Sequence, residues 1–228
     1  MASRPIFLPE TGEGRLVVSH LVEFTWHPGL SKSQKQKSIR SLHDAARATL
    51  DIENILEISS KSEDQLGVDL SAFNLEYRTP NGTSASVETL FQGSKVFGGG
   101  GPFTDLYAKS SREAKKDIRM KNSGGLVAFK YGETEWPLDP QTAFYDWLYI
   151  SALAANPAIA EPLVEYDGFS DIEFNPKKSI NCQAASAALY KVLVINGQLD
   201  SSLSSVANFI QIYSGRVLEK VPVQKGIF

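Results

Sequence analysis

LVAFKYGETEWPLDPQTAFYDWLYISALAANPAIAEPL, residues 126–163, carries two kinds of element in one run. LVAFKY and the segment around TEWPL are short runs rich in apolar and aromatic residues. They are joined by Gly132-Glu133, as expected of a β-hairpin with a two-residue turn. From about 140 to 165 the chain reads as helices interrupted at Asn156-Pro157, because proline removes an amide donor and clashes with the preceding turn. A hairpin running straight into helices is not the βαβ alternation of a parallel sheet.

Outward from this run the same mixture continues. Ile39, Leu42, Ala46 and Leu50 recur at helical spacing, so 31–50 reads as a helix entered at Ser31 or Ser33. ILEIS at 55–59 alternates as a strand does, and LSAFNLEYR at 70–78 is extended, closed by the PNG turn at 80–82. TSAS then offers N-caps to a helix over VETLFQGSKVF, residues 87–97, which the glycine run 98–101 ends. SSREAKKDIRMKN reads as a short basic helix stopped at Ser123-Gly124-Gly125, and DIEFNP as a short strand ending in a turn. Residues 179–195 and about 200–212 read as two further helices. The expectation is an α+β fold: one helix-rich domain with short strands and a hairpin. Residues 1–15 read as a loose lead-in, and 16–228 as the single domain.

With 228 residues, 42% hydrophobic and 21% charged, the chain can bury a core, and one domain is the default at this length. Its apolar runs are short and broken by charge, as in ALYKVLVI, so no membrane span is expected. The N-terminal segment lacks the basic start and apolar stretch of a signal peptide. A single cysteine, Cys182, gives no internal disulfide framework and suits a reducing, cytoplasmic setting. His20, His27 and His43 have no ligand-like spacing, so neither metal nor cofactor is expected. Neither GxGxxG nor GxxxxGK[ST] occurs. Net charge is −3, yet basic residues cluster: Lys32, Lys35, Lys37 and Arg40, then Arg112, Lys115, Lys116 and Arg119 at helical spacing. Such a stripe either tracks a phosphate backbone or is a solvated helix face, the second being the commoner case.

VETLFQGSKVF raises the question of chemistry. On a helix at ~100° per residue, Glu88, Gln92 and Lys95 fall within about 60° of one another, flanked by Phe91 and Val96. A polar stripe that narrows between apolar residues is either a buried network or the wall of a site. Lys95 beside Phe91 and Phe97 either loses charge through desolvation, favouring imine chemistry, or pairs with Glu88. In DIEF, a strand places Asp171 and Glu173 on one face. Paired carboxylates serve glycosidic cleavage, one protonating the leaving group and one steadying positive charge or activating water. Solvent-facing acids neutralised by Lys177 or Lys178 are the bland alternative. Cys182 has no neighbouring histidine and reads as a small buried hydrophobe. Trp26, Trp147 and Phe73 are either core or stacking surfaces.

LSAFN at 70–74 followed by VETLFQGSKVF resembles the paired signature of the NADAR family, an LSNF-type segment before a Gln- and Lys-bearing helix. WLYISALAANPAIAEPL followed by DIEFNP resembles its later helix and acidic strand. FTWHPGLSKSQKQKSI, ILEISSKS, GGPFTDLY and DIEFNPKKSINCQA resemble the branch associated with DarT-type DNA ADP-ribosyltransferase toxins. The resemblance covers nearly all of 20–195 in order. It departs at Ala72-Phe73-Asn74, where Asn-Phe is commoner, and at KKSINCQA, which replaces a tryptophan-glycine segment.

The resemblance implies an antitoxin enzyme that releases ADP-ribose from guanine in DNA, with the DarT-type toxin as genetic partner. Glu88 is then the acid/base. Asp171 or Glu173 holds a ribose hydroxyl, and Lys95 forms a Schiff base, pairs with Glu88 or binds diphosphate. Phe73, Trp26 and Trp147 are candidates for packing against substrate; Asn74, Gln92, Ser94, Asn181 and Gln183 are candidates for hydrogen bonds to it. Lys35, Lys37, Arg112, Lys115, Lys116 and Arg119 are candidates for holding the DNA strand. Two other readings stay open: cleavage of a small ribosylamine, as in riboflavin-linked relatives, and a non-catalytic antitoxin that binds its toxin.

Overall fold

The computed structural model describes residues 1–10, 16–214 and 220–221. The remainder of the expected lead-in and of the C-terminal segment lies outside the described residues. In chain order, β1 (Ala2–Pro9) and β2 (Val17–Phe24) precede α1 (Lys32–Leu50), β3 (Ile55–Glu57) and α2 (Gln65–Asp69). Then come β4 (Glu76–Arg78), β5 (Ser84–Ser86), α3 (Val87–Gly93), β6 (Lys95–Phe97), α4 (Ser111–Lys116) and α5 (Arg119–Asn122). β7 (Leu126–Tyr131) and β8 (Thr134–Trp136) lead into α6 (Ala143–Ala155), α7 (Pro157–Ala160) and β9 (Gly168–Ser170). α8 (Gln183–Ile195), α9 (Leu199–Leu203), α10 (Val206–Ser214) and β10 (Lys220–Val221) complete the described chain.

The architecture is α+β. One sheet has the order β10-β2-β1-β9-β3, with β1 antiparallel to both neighbours and β3 parallel to β9. Strand alternation divides the apolar residues between its faces. Ile6, Val22, Phe24 and Ile55 pack with Ile39, Leu42 and Ala46 of α1. Phe7, Leu56 and Ile58 instead join the larger core built with α6 and α8. Apart from α1's residues and Ile58, which follows β3 directly, every side chain named in those two sets comes from the strands, so the sheet is the wall between two cores.

The N-terminal residues are not a loose lead-in, since Ala2–Pro9 forms β1 in the interior of that sheet. Prolines argue against a strand because they lack the ladder donor. Here β9 pairs only with Ile6 and Phe7, so Pro5 and Pro9 lie outside the doubly paired segment. The hairpin of β7 and β8 forms as expected, with Tyr131 opposite Thr134. Gly132 has φ +59°, which permits this two-residue turn. α6 ends at Asn156-Pro157, also as expected.

Five further elements differ from the sequence expectation. The helix over VETLFQGSKVF stops at Gly93. Lys95–Phe97 joins β7 as a strand, tertiary pairing overriding the helical phase. Leu70–Asn74 turns rather than extends, leaving only Glu76–Arg78 as strand. The basic helix is two short helices, broken where Asp117 leaves helical geometry and its carboxylate accepts Arg119 N at 2.9 Å. DIEF is a turn following β9, because Asp171 Oδ1 accepts the amides of Glu173 (3.0 Å) and Phe174 (3.2 Å). The last helix is likewise divided into α9 and α10.

Candidate active site

α3 is where the site begins. Its N-cap Ser86 accepts Thr89 N, and all seven helical residues are buried, so the polar side chains on it have been placed inside the protein. Gln92 Nε2 donates to Glu88 Oε1 (3.0 Å), and Lys95 Nζ donates to Gln92 Oε1 (2.7 Å). Glu88 does not pair with Lys95 directly. Its cation is Lys115 of α4, with Nζ 3.5 Å from Glu88 Oε1. Gln92 is therefore an oriented bridge, its amide joining an amine to a carboxylate.

Lys95 sits at the start of β6, and its Nζ lies 4.7 Å from the centroid of the Phe91 ring. Burial holds its amine below the usual lysine range; Glu88 opposes this and the Lys115 ammonium adds to it. The backbone here is fixed by a close approach. A Cβ on Gly101 would lie 2.4 Å from Lys95 O, and Gly101 has φ +103°, so only glycine lets the loop pack on this strand.

These side chains face a cavity of about 600 Å³. Asp171, Glu173, Phe73, Asn181 and Gln183 line it too. Asp171 is buried, and its carboxyl is pushed up to about 8, first by burial and then by the carboxylate of Glu57. Gln183 is the hub of this wall. Its Nε2 donates to Ile58 O (2.7 Å) and Asp171 Oδ2 (3.0 Å), while its Oε1 accepts Ala72 N (2.7 Å). Asn181 Oδ1 is buried without a partner among the described residues and so remains an acceptor for a bound donor.

Asp171 and Glu173 both line the cavity, but as residues of a turn rather than as neighbours on one face of a strand. Glu173 is exposed, and Lys35 of α1 pairs with it at 3.1 Å. Phe73 stands at the cavity wall, 41% exposed, with Lys115 Nζ 5.1 Å from its ring centroid.

The other expected site residues lie elsewhere. Asn74 donates to Val68 O, and Ser94 is buried against the Tyr107 hydroxyl. Trp147 packs with Trp136, Phe144 and Tyr131 in the main core, an aromatic contact set that leaves it off the cavity wall. Trp26 packs against α1, with Lys35 and Arg4 over its ring. Of the basic residues, Lys37, Arg112 and Lys116 are exposed. Arg119 is bound by Asp105 and Asp117, which neutralise it. Lys178, Gln141 and Tyr145 line the cavity without having been singled out in the sequence. Only Lys178 carried a signal, as one of the lysines after DIEF.

The arrangement defines a class: a single α+β domain whose pocket joins carboxylates, an amide bridge and a partly desolvated lysine. Residues 2–222 match the family model of the DarT1-associated NADAR antitoxins, NADAR-DarT1, and the chain belongs to that family. No curated protein matches it. The family is one of antitoxins, with a DarT1 toxin as the associated partner. Among the described residues no helix is long and apolar enough to cross a membrane.

Proposed function

We propose that the protein is an ADP-ribose glycohydrolase that cleaves the bond between ADP-ribose and the exocyclic amine of guanine in DNA, reversing the modification made by a DarT-type toxin in the cytoplasm. The observation that carries this reading is the bridge Lys95–Gln92–Glu88 in the wall of a cavity that also holds Asp171. A volume of about 600 Å³ is in the range of nucleotide-sized ligand pockets.

The bond is an N-glycoside to an exocyclic nitrogen, so the distal ribose ring opens to an imine at C1. The Lys95 amine adds to that carbon. The guanine amine departs with a proton, and water then hydrolyses the lysine imine to release ADP-ribose and regenerate Lys95. Amine character at Lys95 is favoured by its burial and by an amide rather than a carboxylate as its immediate acceptor. Glu88 transfers the protons in these steps. Asp171, neutral in part at pH 7, offers a hydroxyl to the sugar. Asn181 Oδ1 accepts a hydroxyl or N–H. Phe73 stacks on a base at the cavity wall, and Lys37, Arg112 and Lys116 hold the strand.

The test is borohydride added during turnover of guanine-ADP-ribosylated DNA. ADP-ribose becomes fixed to Lys95, and Glu88→Gln slows release by at least ~100-fold. No adduct, with Lys95→Ala still active, overturns the imine route. Toxin neutralisation without any release of ADP-ribose overturns the enzymatic reading, and turnover of free ribosylamines alone overturns the DNA substrate.

A further inference from the structure

Behind the cavity lies a second carboxylate that never reaches it. Glu57, on edge strand β3, is 3% exposed, and none of the cavity wall is formed by it. Both its oxygens are engaged with the chain that carries Asp171. Glu57 Oε1 accepts Ile172 N (2.9 Å) and Ser59 Oγ (2.7 Å), and Oε2 accepts Ser170 Oγ (2.5 Å). Ser170 Oγ also lies 2.8 Å from His43 Nε2, on α1. The residues on either side of Asp171 are thus clamped by one carboxylate.

A buried carboxylate accepting three hydrogen bonds is a costly way to hold a turn. An amide would bond the same groups without burying charge. Glu57 is also no ion pair: the titratable side chain nearest to it through Ser170 is His43, which burial keeps neutral with its pKa pushed down to about 4. Asp171 in turn is faced by Glu57 from β3, Tyr145 and Tyr149 from α6, and Cys182 at the start of α8. Glu173 of its own turn is held by Lys35. No cation among the described residues is paired with either member of the Glu57–Asp171 couple.

We propose that Glu57 is a positioning residue for Asp171: its carboxylate fixes the backbone on both sides of that residue and sets a buried negative charge behind it that no cation among the described residues offsets. The purpose rests on the glycohydrolase reading, since a protonated Asp171 can donate to the sugar or the departing base, while Glu88 is paired with Lys115. The effect of that buried charge does not depend on any substrate.

The experiment follows the Asp171 carboxyl by ¹³C NMR across pH in the full chain without substrate. In Glu57→Gln the amide keeps an oxygen for Ile172 N and an amine toward Ser170 Oγ, so the turn persists while the charge is gone. The Asp171 midpoint then falls by at least about one pH unit, the scale on which two coupled acids titrate as a pair. An unmoved midpoint in a folded Glu57→Gln protein overturns the proposal. If that variant does not fold, Asp171→Asn is read instead. The Glu57 carboxyl midpoint must fall there, and an unmoved one overturns the proposal equally. Neither readout uses turnover, so failure here is distinct from failure of the glycohydrolase reading.

Discussion

Gln92→Glu changes one atom of the amine–carboxylate bridge and tests what the bridge does. The 2.7 Å bond from Lys95 Nζ would persist, now to a charged acceptor. The second oxygen would face Glu88 Oε1, 3.0 Å away, where an N–H had been. Two carboxylates at that distance take up one proton between them, so the local charge stays near that of Glu88 alone but moves closer to Lys95. A hydrogen bond to a charged group contributes about 1.5–3 kcal/mol and one to a neutral group about 0.5–1.5, a difference of about 1 kcal/mol in favour of the ammonium form. That leaves about fivefold less free amine at any pH below the lysine's own midpoint. The sign follows directly: raising the Lys95 pKa moves the limb of the pH–rate profile that reports its deprotonation to higher pH. The assay is kcat/KM for ADP-ribose release from modified DNA across pH. The expected result is about fivefold lower activity near neutrality and recovery as pH rises. An equal loss at every pH, with the limb in place, would refute the reasoning, because it would make Gln92 a structural brace only.

Asp146→Asn addresses stability. Asp146 is buried between Ser186 and Thr142, and burial pushes its carboxyl up from 3.8 to about 6. The native state therefore holds the proton more tightly than the unfolded chain, and parent stability declines as pH rises from about 3.8 through 6. The gap corresponds to up to about 3 kcal/mol. Above pH 6 the variant is expected to be more stable than the parent by a good part of that, with a flatter profile in urea melts. A variant less stable at pH 8 contradicts this. For DNA, Lys37→Ala, Arg112→Ala and Lys116→Ala each lower the slope of log affinity against log salt by about 0.7–0.9 in anisotropy titrations. Arg119→Ala leaves that slope unchanged, because Asp105 and Asp117 already neutralise its guanidinium.

The sequence revealed those parts of the site whose neighbours are local. Glu88 and Gln92 are one helical turn apart on α3, and that spacing is visible in the residues themselves. The hairpin, the break at Asn156-Pro157 and the Ser31 cap were legible for the same reason, each being decided by a few adjacent residues. Lys95 was placed beside Glu88 by a helical phase that stops at Gly93, and it reaches Gln92 from a strand held by β7. The strand reading of DIEF failed for a related reason. An aspartate that accepts the amides two and three residues on makes a turn, although both acids still line the cavity. Trp147 shows the limit of reading aromatics one at a time, since only the assembled core shows that its neighbours are other rings.

Glu57 marks a different boundary. ILEIS alternates, so Ile55 and Glu57 fall on one face and Leu56 and Ile58 on the other, yet all of these positions are buried. Nothing in the neighbouring residues marked Glu57, because its partners Ser170 and Ile172 are more than a hundred residues from it. The two acids of the cavity thus differ in their surroundings. Glu88 pairs with Lys115, a contact between neighbouring helices. Asp171 is pushed up first by its burial and then by the Glu57 carboxylate on the adjoining strand, across the backbone that β3 and β9 hold in register. Loosening that register would take away the Glu57 contribution to Asp171 while leaving Glu88 and Lys95 in place, so the strand pairing is itself part of the chemistry.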